Sequence, residues 1–317
     1  MRILLVKTSS MGDVIHNLPV VSDIVTRFPD AKIDWVVEEN FVDIPVLHPG
    51  ISAVIPVAWR RWRKSLFSSK TWAEIRAFKR ALNAENYDYV IDTQGLVKSA
   101  IITQLAHGRR CGFDAASARE GWSALVYQHK YTVPKALHAV QRNRALVAQA
   151  LHIETSDGLN YGLNVSDNRQ SSASSAVLLT ATSRDDKLWP ETDWIALGQH
   201  LATRGLQCLL PGGNALEIAR ATRLAQSIPN ALALPAQGLS TLAKTISSAA
   251  VVVGVDTGLV HLAAALGRPT LAIYCASDPA LTGVLAATPF NNLGERAKAP
   301  TVAEVIAATE NLLAVAR

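Results

Sequence analysis

Residues 251–261, V-V-V-G-V-D-T-G-L-V-H, contain the pattern that decides the fold. The run Val251–Val255 is apolar without alternation, which is typical of a strand covered on both faces in a parallel sheet. Asp256 or Thr257 can cap a helix that starts near Gly258, where the glycine permits close backbone approach. The stretch therefore predicts a strand, a turn and a helix, which is the repeating unit of a parallel α/β protein.

The same alternation of short apolar runs and longer helical patterns continues along the whole chain. Strands are predicted at residues 2–7, 32–38, 53–57, 87–93, 109–113, 176–180, 206–211, 231–235, 251–256 and 270–275. Helices are predicted at residues 13–27, 71–84, 137–151, 191–203, 215–227, 239–249, 258–266 and 302–316. We therefore predict the α/β class, with two Rossmann-like domains whose parallel sheets face a central cleft and bind ligands at the carboxyl ends of their strands.

A polar stretch divides the two halves. Residues 166–175, S-D-N-R-Q-S-S-A-S-S, show no apolar periodicity and are typical of a linker. The prediction is a first domain over 1–165 and a second over 176–317. The last helix is expected in the second domain, with the option of packing back toward the first.

Composition limits the class and the compartment. A hydrophobic fraction of 49% suits a globular chain with sizeable cores, and no apolar run approaches the length of a membrane span. Cys111, Cys208 and Cys275 are widely spaced and odd in number, which favours a reducing compartment over a disulfide or zinc framework. The amino-terminal residues are typical of a first strand and not of a signal peptide. We expect a cytoplasmic protein.

The net charge of +5 lies entirely in the first half, because residues 1–165 carry 20 Lys and Arg against 15 Asp and Glu, and the rest is balanced. Its densest part is Trp59-Arg60-Arg61-Trp62-Arg63-Lys64, continued by Lys70, Arg76, Lys79 and Arg80. Glu74 is the one acid within that span. Such a stretch indicates a solvated face, an acidic lipid surface, nucleic acid or a small acidic ligand that arginine forks would bind.

Several motifs are absent from the sequence, and their absence argues against whole classes of enzyme. Neither G-x-G-x-x-G nor the P-loop motif occurs, which disfavours NAD enzymes and P-loop kinases. No D-x-D spacing occurs, which argues against transferases that hold a diphosphate through a carboxylate-bound metal. The G-x-S-x-G elbow of α/β hydrolases is missing too.

The first predicted strand ends in V-K-T-S-S-M-G-D, where a carboxylate, Asp13, follows Gly12. One interpretation makes Asp13 a cap for the first helix, because Asp accepts hydrogen bonds from free backbone N–H groups. The other makes it a general base that takes a proton from an incoming hydroxyl. The residues alone leave both open.

Three turns in the second half are candidates for binding a ligand, two of them for an anion. A helix that begins at Gly258 offers free N–H groups to a phosphate, and His261, one turn later, can point back to it or fill the core. Residues 182–190 offer hydroxyls and Lys187 for a diphosphate, or form a charged surface loop. In the strand–turn–helix at residues 211–217, Glu217 can contact a ribose or lie on the surface.

Five stretches in order resemble the bacterial lipopolysaccharide heptosyltransferases of glycosyltransferase family 9, most closely the branch that adds the first heptose. They are residues 6–19 (V-K-T-S-S-M-G-D-V-I-H-N-L-P), 60–64 (R-R-W-R-K), 87–99 (Y-D-Y-V-I-D-T-Q-G-L-V-K-S), 182–190 and 256–261. The resemblance covers nearly the whole length. It implies a GT-B fold with the acceptor bound mainly by the first domain and the donor by the second.

The resemblance also implies the reaction and its site residues. Heptose would pass from ADP-heptose to the first Kdo of Kdo2-lipid A with inversion, and Asp13 would be the base and Lys187 the second catalytic residue. The implied donor-binding residues are Thr182, Ser183, Lys187, Glu217, Asp256, Thr257, Gly258 and His261. The implied acceptor-binding residues are Ser9, Ser10, Gly12, Arg60, Arg61, Arg63, Lys64, Arg119 and His138. Residues 211–213 lack the aromatic residue expected near the base, and residues 274–279 depart from the usual glycine-proline turn.

No cofactor, metal site or nucleic-acid partner is expected, and the protein is predicted to associate peripherally with the cytoplasmic face of the inner membrane. Three alternatives remain at this stage. They are a later heptosyltransferase of the same pathway, such as heptosyltransferase II, a nucleotide-sugar epimerase of the same fold, and a non-enzymatic protein that binds membranes or nucleic acid through its basic surface.

Overall fold

The first unit of the computed structural model, Met1–Gly162, is built on one parallel six-stranded sheet. The structure describes residues 1–165 and 175–315 of the chain. The strands are β1 (Arg2–Val6), β2 (Lys32–Glu38), β3 (Ile51–Val57), β4 (Tyr89–Asp92), β5 (Arg109–Phe113) and β6 (His129–Tyr131). Their order is β3-β2-β1-β4-β5-β6, so the order reverses between β1 and β4, as in a Rossmann fold.

Seven helices lie between and after these strands. They are α1 (Met11–Ile15), α2 (Leu18–Arg27), α3 (Asp43–Val46), α4 (Trp59–Trp62), α5 (Ser69–Leu82), α6 (Val97–Leu105) and α7 (Ala139–Leu151). Short 3₁₀ turns occupy Glu39–Phe41 and Gly121–Val126. The densest basic residues thus lie in and just after the single turn α4, and the rest are spread along α5 from Lys70 to Arg80.

The second unit, Leu163–Arg317, repeats the architecture. Its strands are β7 (Ser175–Leu179), β8 (Gln207–Leu210), β9 (Leu232–Ala233), β10 (Val251–Val255), β11 (Thr270–Ile273) and β12 (Phe290–Leu293), in the order β12-β11-β10-β7-β8-β9. Its helices are α8 (Glu191–Thr203), α9 (Ala215–Ser227), α10 (Leu239–Ser247), α11 (Gly258–Ala265) and α12 (Val302–Val315), with a 3₁₀ turn at Asp185–Lys187. The predicted α/β class with two parallel sheets is confirmed.

The core of the second unit holds the last helix. Val305 and Leu312 of α12 are buried together with Trp194 of α8 and with β10 and β11. Trp189 and Trp194 pack edge to face, with their ring centroids 5.1 Å apart. Of the predicted linker, residues 166–174 lie outside the described residues, and Ser175 already belongs to β7.

One predicted element is wrong in detail. The helix expected over residues 13–27 is two helices, α1 and α2, which meet at Asn17. Pro19, the second residue of α2, has no N–H, so it cannot continue the hydrogen-bond ladder of α1 into α2. α1 therefore ends after a single turn, and Asp13 lies on this short helix after β1.

The described ranges contain no helix with the length and apolar character to cross a membrane.

Candidate functional site

The first group of predicted site residues lies where the order of the first sheet reverses. Residues 7–10 leave the carboxyl end of β1 and lead into α1, and residues 93–96 leave the neighbouring strand β4 and lead into α6. Ligands of open parallel sheets bind at such a reversal. Of the predicted residues, Ser9, Ser10, Gly12 and Asp13 all lie on the segment after β1.

Asp13 is the third residue of α1, and Ser10 is the N-cap. The backbone N–H of Ser10 donates to Oδ2 of Asp13 at 3.0 Å, and its hydroxyl lies 3.3 Å from the same oxygen. Arg119, from the loop after β5, donates to Oδ2 through Nη1 at 3.3 Å. Oδ1 has no hydrogen-bond partner among the described residues. The carboxylate therefore caps the helix with one oxygen and has a second that is available to a substrate.

The electrostatic surroundings keep Asp13 ionised. Burial by itself would raise the pKa of the carboxyl, but the cations Lys7 and Arg119 and the hydrogen bonds from Ser10 outweigh it. The pKa of Asp13 is consequently held below its ordinary value. A carboxylate that stays charged at neutral pH can accept a proton.

Lys7 is a buried cation at the end of β1 that the sequence analysis did not select. Its Nζ donates to the carbonyl of Thr93 at 2.8 Å and to Oδ1 of Asn143 at 3.3 Å. Burial lowers the pKa of Lys7 to about 8, although the negative charge of Asp13 acts in the opposite direction. Asn143 also donates to the carbonyl of His16 at 3.2 Å, so Lys7 and Asn143 link α1 to β4 and α7.

Gln94, also missed from the sequence, clamps the segment that carries the site. Its Oε1 accepts from the N–H groups of Thr8 at 3.0 Å and Ser9 at 3.2 Å. Its Nε2 donates to the carbonyl of Ser9 at 2.6 Å. Lys98 adds a fourth bond, from Nζ to Oγ of Ser9 at 2.7 Å. Oδ1 of Asp92, the last residue of β4, accepts from the backbone N–H of Gln94 at 2.8 Å and so helps to hold Gln94 in place.

The basic residues of α4 lie near this edge of the sheet but differ in their surroundings. The N–H of Arg60 donates to Glu38, the last residue of β2, at 2.9 Å. Arg61 forms ion pairs with Glu39 at 2.9 Å and Glu74 at 2.7 Å. Arg63 and Lys64 are exposed and form no ion pair within residues 1–165 and 175–315.

Lys98, which bonds Ser9 beside Asp13, also has Arg60 of α4 among its charged neighbours. Burial lowers the pKa of Lys98, whose charged neighbours include Glu38, Arg60 and Asp13. His138 is the N-cap of α7, and its ring packs edge to face on His16 with the centroids 5.3 Å apart. The first unit therefore gathers several cations around one carboxylate, which suits an acidic ligand bearing a hydroxyl.

The second group of predicted residues follows β7 and β10, where the second sheet reverses its order. Nζ of Lys187 lies 2.7 Å from Oδ2 of Asp256, and the Ser277 hydroxyl donates to the same oxygen at 2.5 Å. Oγ1 of Thr182 donates to the carbonyl of Asp256 at 3.0 Å. Burial would raise the pKa of Asp256, but Lys187 and Ser277 bind the carboxylate and lower it. Ser277 was not selected from the sequence.

The other donor candidates surround this cluster or cap helices. Thr257 is the N-cap of α11 without a side-chain capping bond, and Gly258 is its first residue. His261, one turn later, is buried and is one of the neighbours that lower the pKa of Asp256. Ser183 is exposed in the loop after β7. The backbone amides at the start of α11 and the ammonium of Lys187 together suit a diphosphate.

Glu217 occupies a capping position on α9. Its Oε2 accepts from the N–H of Gly213 at 2.8 Å, and its Oε1 accepts from Nδ2 of Asn214 at 2.8 Å. Gly212 lets the chain turn tightly here, because a Cβ at that position would lie 2.7 Å from the N atom of Ile218. The carboxylate is thus held at the carboxyl end of β8 by its own turn.

The described residues contain no group of three or more His, Cys, Asp or Glu side chains placed to hold a metal ion.

Comparisons with known proteins place the chain in one family. The sequence profile of glycosyltransferase family 9 (heptosyltransferase) matches residues 75–309. The chain is 47% identical over 288 residues to lipopolysaccharide heptosyltransferase 1 of Escherichia coli K12, covering 89% of this chain and 90% of that protein. It is 44% identical to the protein of the same name from Pseudomonas aeruginosa, covering 89% of this chain and 81% of that protein.

Solved structures agree. The E. coli heptosyltransferase WaaC with ADP superposes with a TM-score of 0.94 at 43% identity, covering 98% of this chain and 100% of that one. E. coli ADP-heptose lps heptosyltransferase II matches with a TM-score of 0.77 at 21% identity over 99% of both chains, which shows the shared fold. The predicted GT-B type of α/β fold and the predicted family resemblance are thereby confirmed.

Proposed function

The chain belongs to glycosyltransferase family 9, the heptosyltransferases, and on that premise we propose that it transfers L-glycero-D-manno-heptose from ADP-heptose to the first Kdo of Kdo2-lipid A. The observation that carries the proposal is Asp13, a carboxylate kept ionised at the carboxyl end of β1 and surrounded by cations. An acidic sugar acceptor would meet its counter-charges and its base at the same place.

The reaction is a single displacement with inversion. As the acceptor oxygen bonds to the anomeric carbon, the bond from that carbon to the diphosphate breaks and ADP leaves with the electron pair. The acceptor hydroxyl becomes strongly acidic as the new bond forms, so Asp13 can take its proton despite a lowered pKa. One carboxylate is sufficient because no covalent intermediate forms.

On the donor side, Lys187 carries the main charge. Its ammonium has three N–H donors, so it can keep Asp256 and still donate to a phosphate oxygen. Thr182, Ser183, Thr257, Gly258 and His261 would complete the diphosphate and heptose site, with Glu217 at the ribose. The E. coli relative was solved with ADP-2-deoxy-2-fluoro heptose at 40% identity to this chain, which supports ADP-heptose as the donor.

On the acceptor side, we assign Arg60, Arg63, Lys64, Arg119 and His138 to the acidic groups of Kdo and lipid A. Arg61 is engaged by Glu39 and Glu74, so its part in acceptor binding is to hold α4 in place. Ser9, Ser10 and Gly12 would face the acceptor beside Asp13.

We further propose that the reaction needs no metal, because Lys187 and the start of α11 supply the charge stabilisation that a divalent cation gives in other transferases. The acceptor is a lipid, so the protein would work as a peripheral protein at the cytoplasmic face of the inner membrane. No nucleic acid is proposed as a partner.

The test is ADP release by the purified protein given ADP-heptose with and without Kdo2-lipid A. Release only with both substrates, and a mass gain of one heptose on the acceptor, is expected. Release only with an acceptor that already carries a heptose would reassign the protein to the second heptose step. Turnover of ADP-heptose without any acceptor would favour an epimerase. No ADP release with or without an acceptor would refute the transferase.

A further inference from the structure

We propose that the outer face of α5 and the turn before it form the surface through which the protein docks on an anionic phospholipid bilayer. This inference rests on the proposed lipid acceptor and names the docking surface. The surface, called the α5 face below, consists of Leu66, Phe67, Trp72, Arg76, Lys79 and Arg80. None of these residues belongs to the donor or acceptor site assigned above.

The helix presents its charged residues on one side. Trp72, Arg76, Lys79 and Arg80 are spaced i, i+4, i+7 and i+8, which places them on one face of α5, and all four are exposed. The opposite face buries Phe78 and Leu82 in the core of the first unit. The orientation of α5 is therefore set by its core packing.

The charge of this face is uncompensated. Within the described residues, Arg76, Lys79 and Arg80 take part in no ion pair. Glu74, the one acid of α5, is directed toward α4, where it binds Arg61 and accepts from the indole N–H of Trp62 at 2.8 Å. The three cations line an open groove of about 830 Å³ together with Ala73, Asn83 and His107.

The amino-terminal end of the same face is apolar. Phe67 is fully exposed, and Leu66 and Trp72 are each 49% exposed. The indole N–H of Trp72 donates to the carbonyl of Leu66 at 2.8 Å, so the turn and the helix form one surface. Clusters of exposed large apolar residues on a soluble fold mark contact sites.

The cations and the exposed apolar residues of the α5 face together favour a bilayer over other anionic partners. A membrane surface presents anionic headgroups above an apolar layer, and basic residues next to exposed Trp, Phe and Leu match both. Nucleic acid would satisfy the cations and stack on aromatic rings, but the aliphatic Leu66 and the fully exposed Phe67 beside it gain more in an acyl layer.

The test is co-sedimentation of the full chain with phosphatidylcholine vesicles, with and without phosphatidylglycerol. We expect binding that requires phosphatidylglycerol and falls with salt. The triple variant Arg76→Gln/Lys79→Gln/Arg80→Gln should bind about 100-fold more weakly, since each cation near an anionic surface contributes a factor of roughly 5. Phe67→Ser should also weaken binding.

The matched control is Arg27→Gln/Lys32→Gln/Lys130→Gln, which removes the same charge from other exposed positions of the first unit. Equal loss of binding by the two triple variants would overturn the proposal, because net charge alone would then explain it. Unchanged binding by the α5 triple variant or by Phe67→Ser would overturn it too. The proposal would also be overturned if the wild-type protein did not bind the vesicles, or if it bound DNA more tightly than the vesicles.

Turnover separates this surface from the reaction. With an acceptor that lacks acyl chains, wild type and α5 variants are expected to release ADP at the same rate. If the wild type fails with that acceptor and with Kdo2-lipid A in detergent, the proposed function fails whatever the vesicles show. A loss confined to the α5 variants with the soluble acceptor would place α5 in the acceptor site and refute its role as a docking surface.

Discussion

Arg119 lies 106 positions beyond Asp13 in the chain, and its Nη1 is 3.3 Å from Oδ2 of that carboxylate. The contact joins the loop after β5 to the helix after β1, across β4. Arg119 is itself about half exposed, so a ligand can reach its remaining N–H groups. The pair therefore places a cation for an acidic acceptor beside the group that would take its proton.

The first prediction concerns Asp13→Asn. The amide keeps the shape of the side chain but cannot take up the hydroxyl proton, so turnover should fall by at least about 100-fold. Binding of ADP-heptose, which the second unit is proposed to provide, should be nearly unchanged in calorimetry. Wild-type turnover in Asp13→Asn would exclude it as the base.

Capping provides the control for that variant. Glu304 accepts from the N–H and hydroxyl of Thr301 at 2.8 Å at the start of α12, as Asp13 does from Ser10 at the start of α1. Glu304→Gln weakens an equivalent cap on α12, a helix that carries none of the assigned site residues. It should lower thermal stability slightly and leave turnover intact, and a loss of turnover as large as that of Asp13→Asn would point to capping instead of catalysis.

The second prediction is a shift of the pH profile in Lys7→Met. Asp13 must be ionised to act, so activity is lost as pH falls through its pKa. Lys7 is one of the cations that lower this pKa, and its removal should move the acidic limb of kcat/KM to higher pH. Lys7→Arg retains the charge and should keep the limb near that of the wild type. A limb that stays in place in Lys7→Met would show that Lys7 acts only as a structural link.

The third prediction concerns the clamp formed by Gln94. In Gln94→Ala the N–H groups of Thr8 and Ser9 lose their acceptor, and the segment before Asp13 loosens. Because small misplacements of a catalytic group are costly, kcat should fall by about 10-fold or more while KM for ADP-heptose changes little.

A similar clamp in the second unit controls for simple destabilisation. Asn292 accepts from the N–H of Val284 at 3.1 Å and donates to its carbonyl at 2.9 Å. Asn292→Ala should lower the melting temperature and leave kcat near that of the wild type at permissive temperature. If it lowers kcat as much as Gln94→Ala does, the positioning role of Gln94 is refuted.

The elements of the fold differ in how clearly their own sequences mark them. Val251–Val255 was identified because a continuous apolar run has few alternatives, whereas the edge strands H-K-Y (β6) and F-N-N-L (β12) carry too little apolar pattern to be recognised. Helix α6, V-K-S-A-I-I-T-Q-L, was missed because its apolar residues do not form one clear stripe. The break at Asn17 was signalled by Pro19, a residue the helix prediction passed over.

Local sequence pattern also identified only some of the site residues. Asp13 was identified from its place after a strand, but Lys7 and Gln94 are functional candidates only because β1 lies next to β4 in the sheet. Such neighbours follow from strand order, which local pattern does not determine. A lysine at the end of an apolar strand and the polar D-T-Q-G turn after β4 are the signals that would have drawn attention to them.

The fourth prediction is that chelation leaves the enzyme active. Excess EDTA should not lower the initial rate of ADP release, since charge on the leaving diphosphate is assigned to Lys187 and the start of α11. Complete loss that Mg²⁺ restores would show that a metal takes part.

The fifth prediction concerns Lys187→Ala. Loss of one charge-assisted contact should weaken ADP binding by about 10- to 100-fold in calorimetry. Adenosine, which lacks phosphates, should bind as it does to the wild type, and Lys244→Ala, which removes an exposed cation of the same unit, should leave ADP binding unchanged.

A second substitution at Asp256 tests the same contact more stringently. In Lys187→Ala the carboxylate of Asp256 loses the ammonium that it pairs with. If the phosphates of ADP bind beside it as proposed, their repulsion by this carboxylate adds to the lost contact. The double variant Lys187→Ala/Asp256→Asn removes that repulsion and should recover part of the ADP affinity. A double variant that binds ADP more weakly than Lys187→Ala would mean that Asp256 contacts the donor directly as well as orienting Lys187. Equal weakening of ADP and adenosine would instead show that Lys187 holds the fold of the loop after β7.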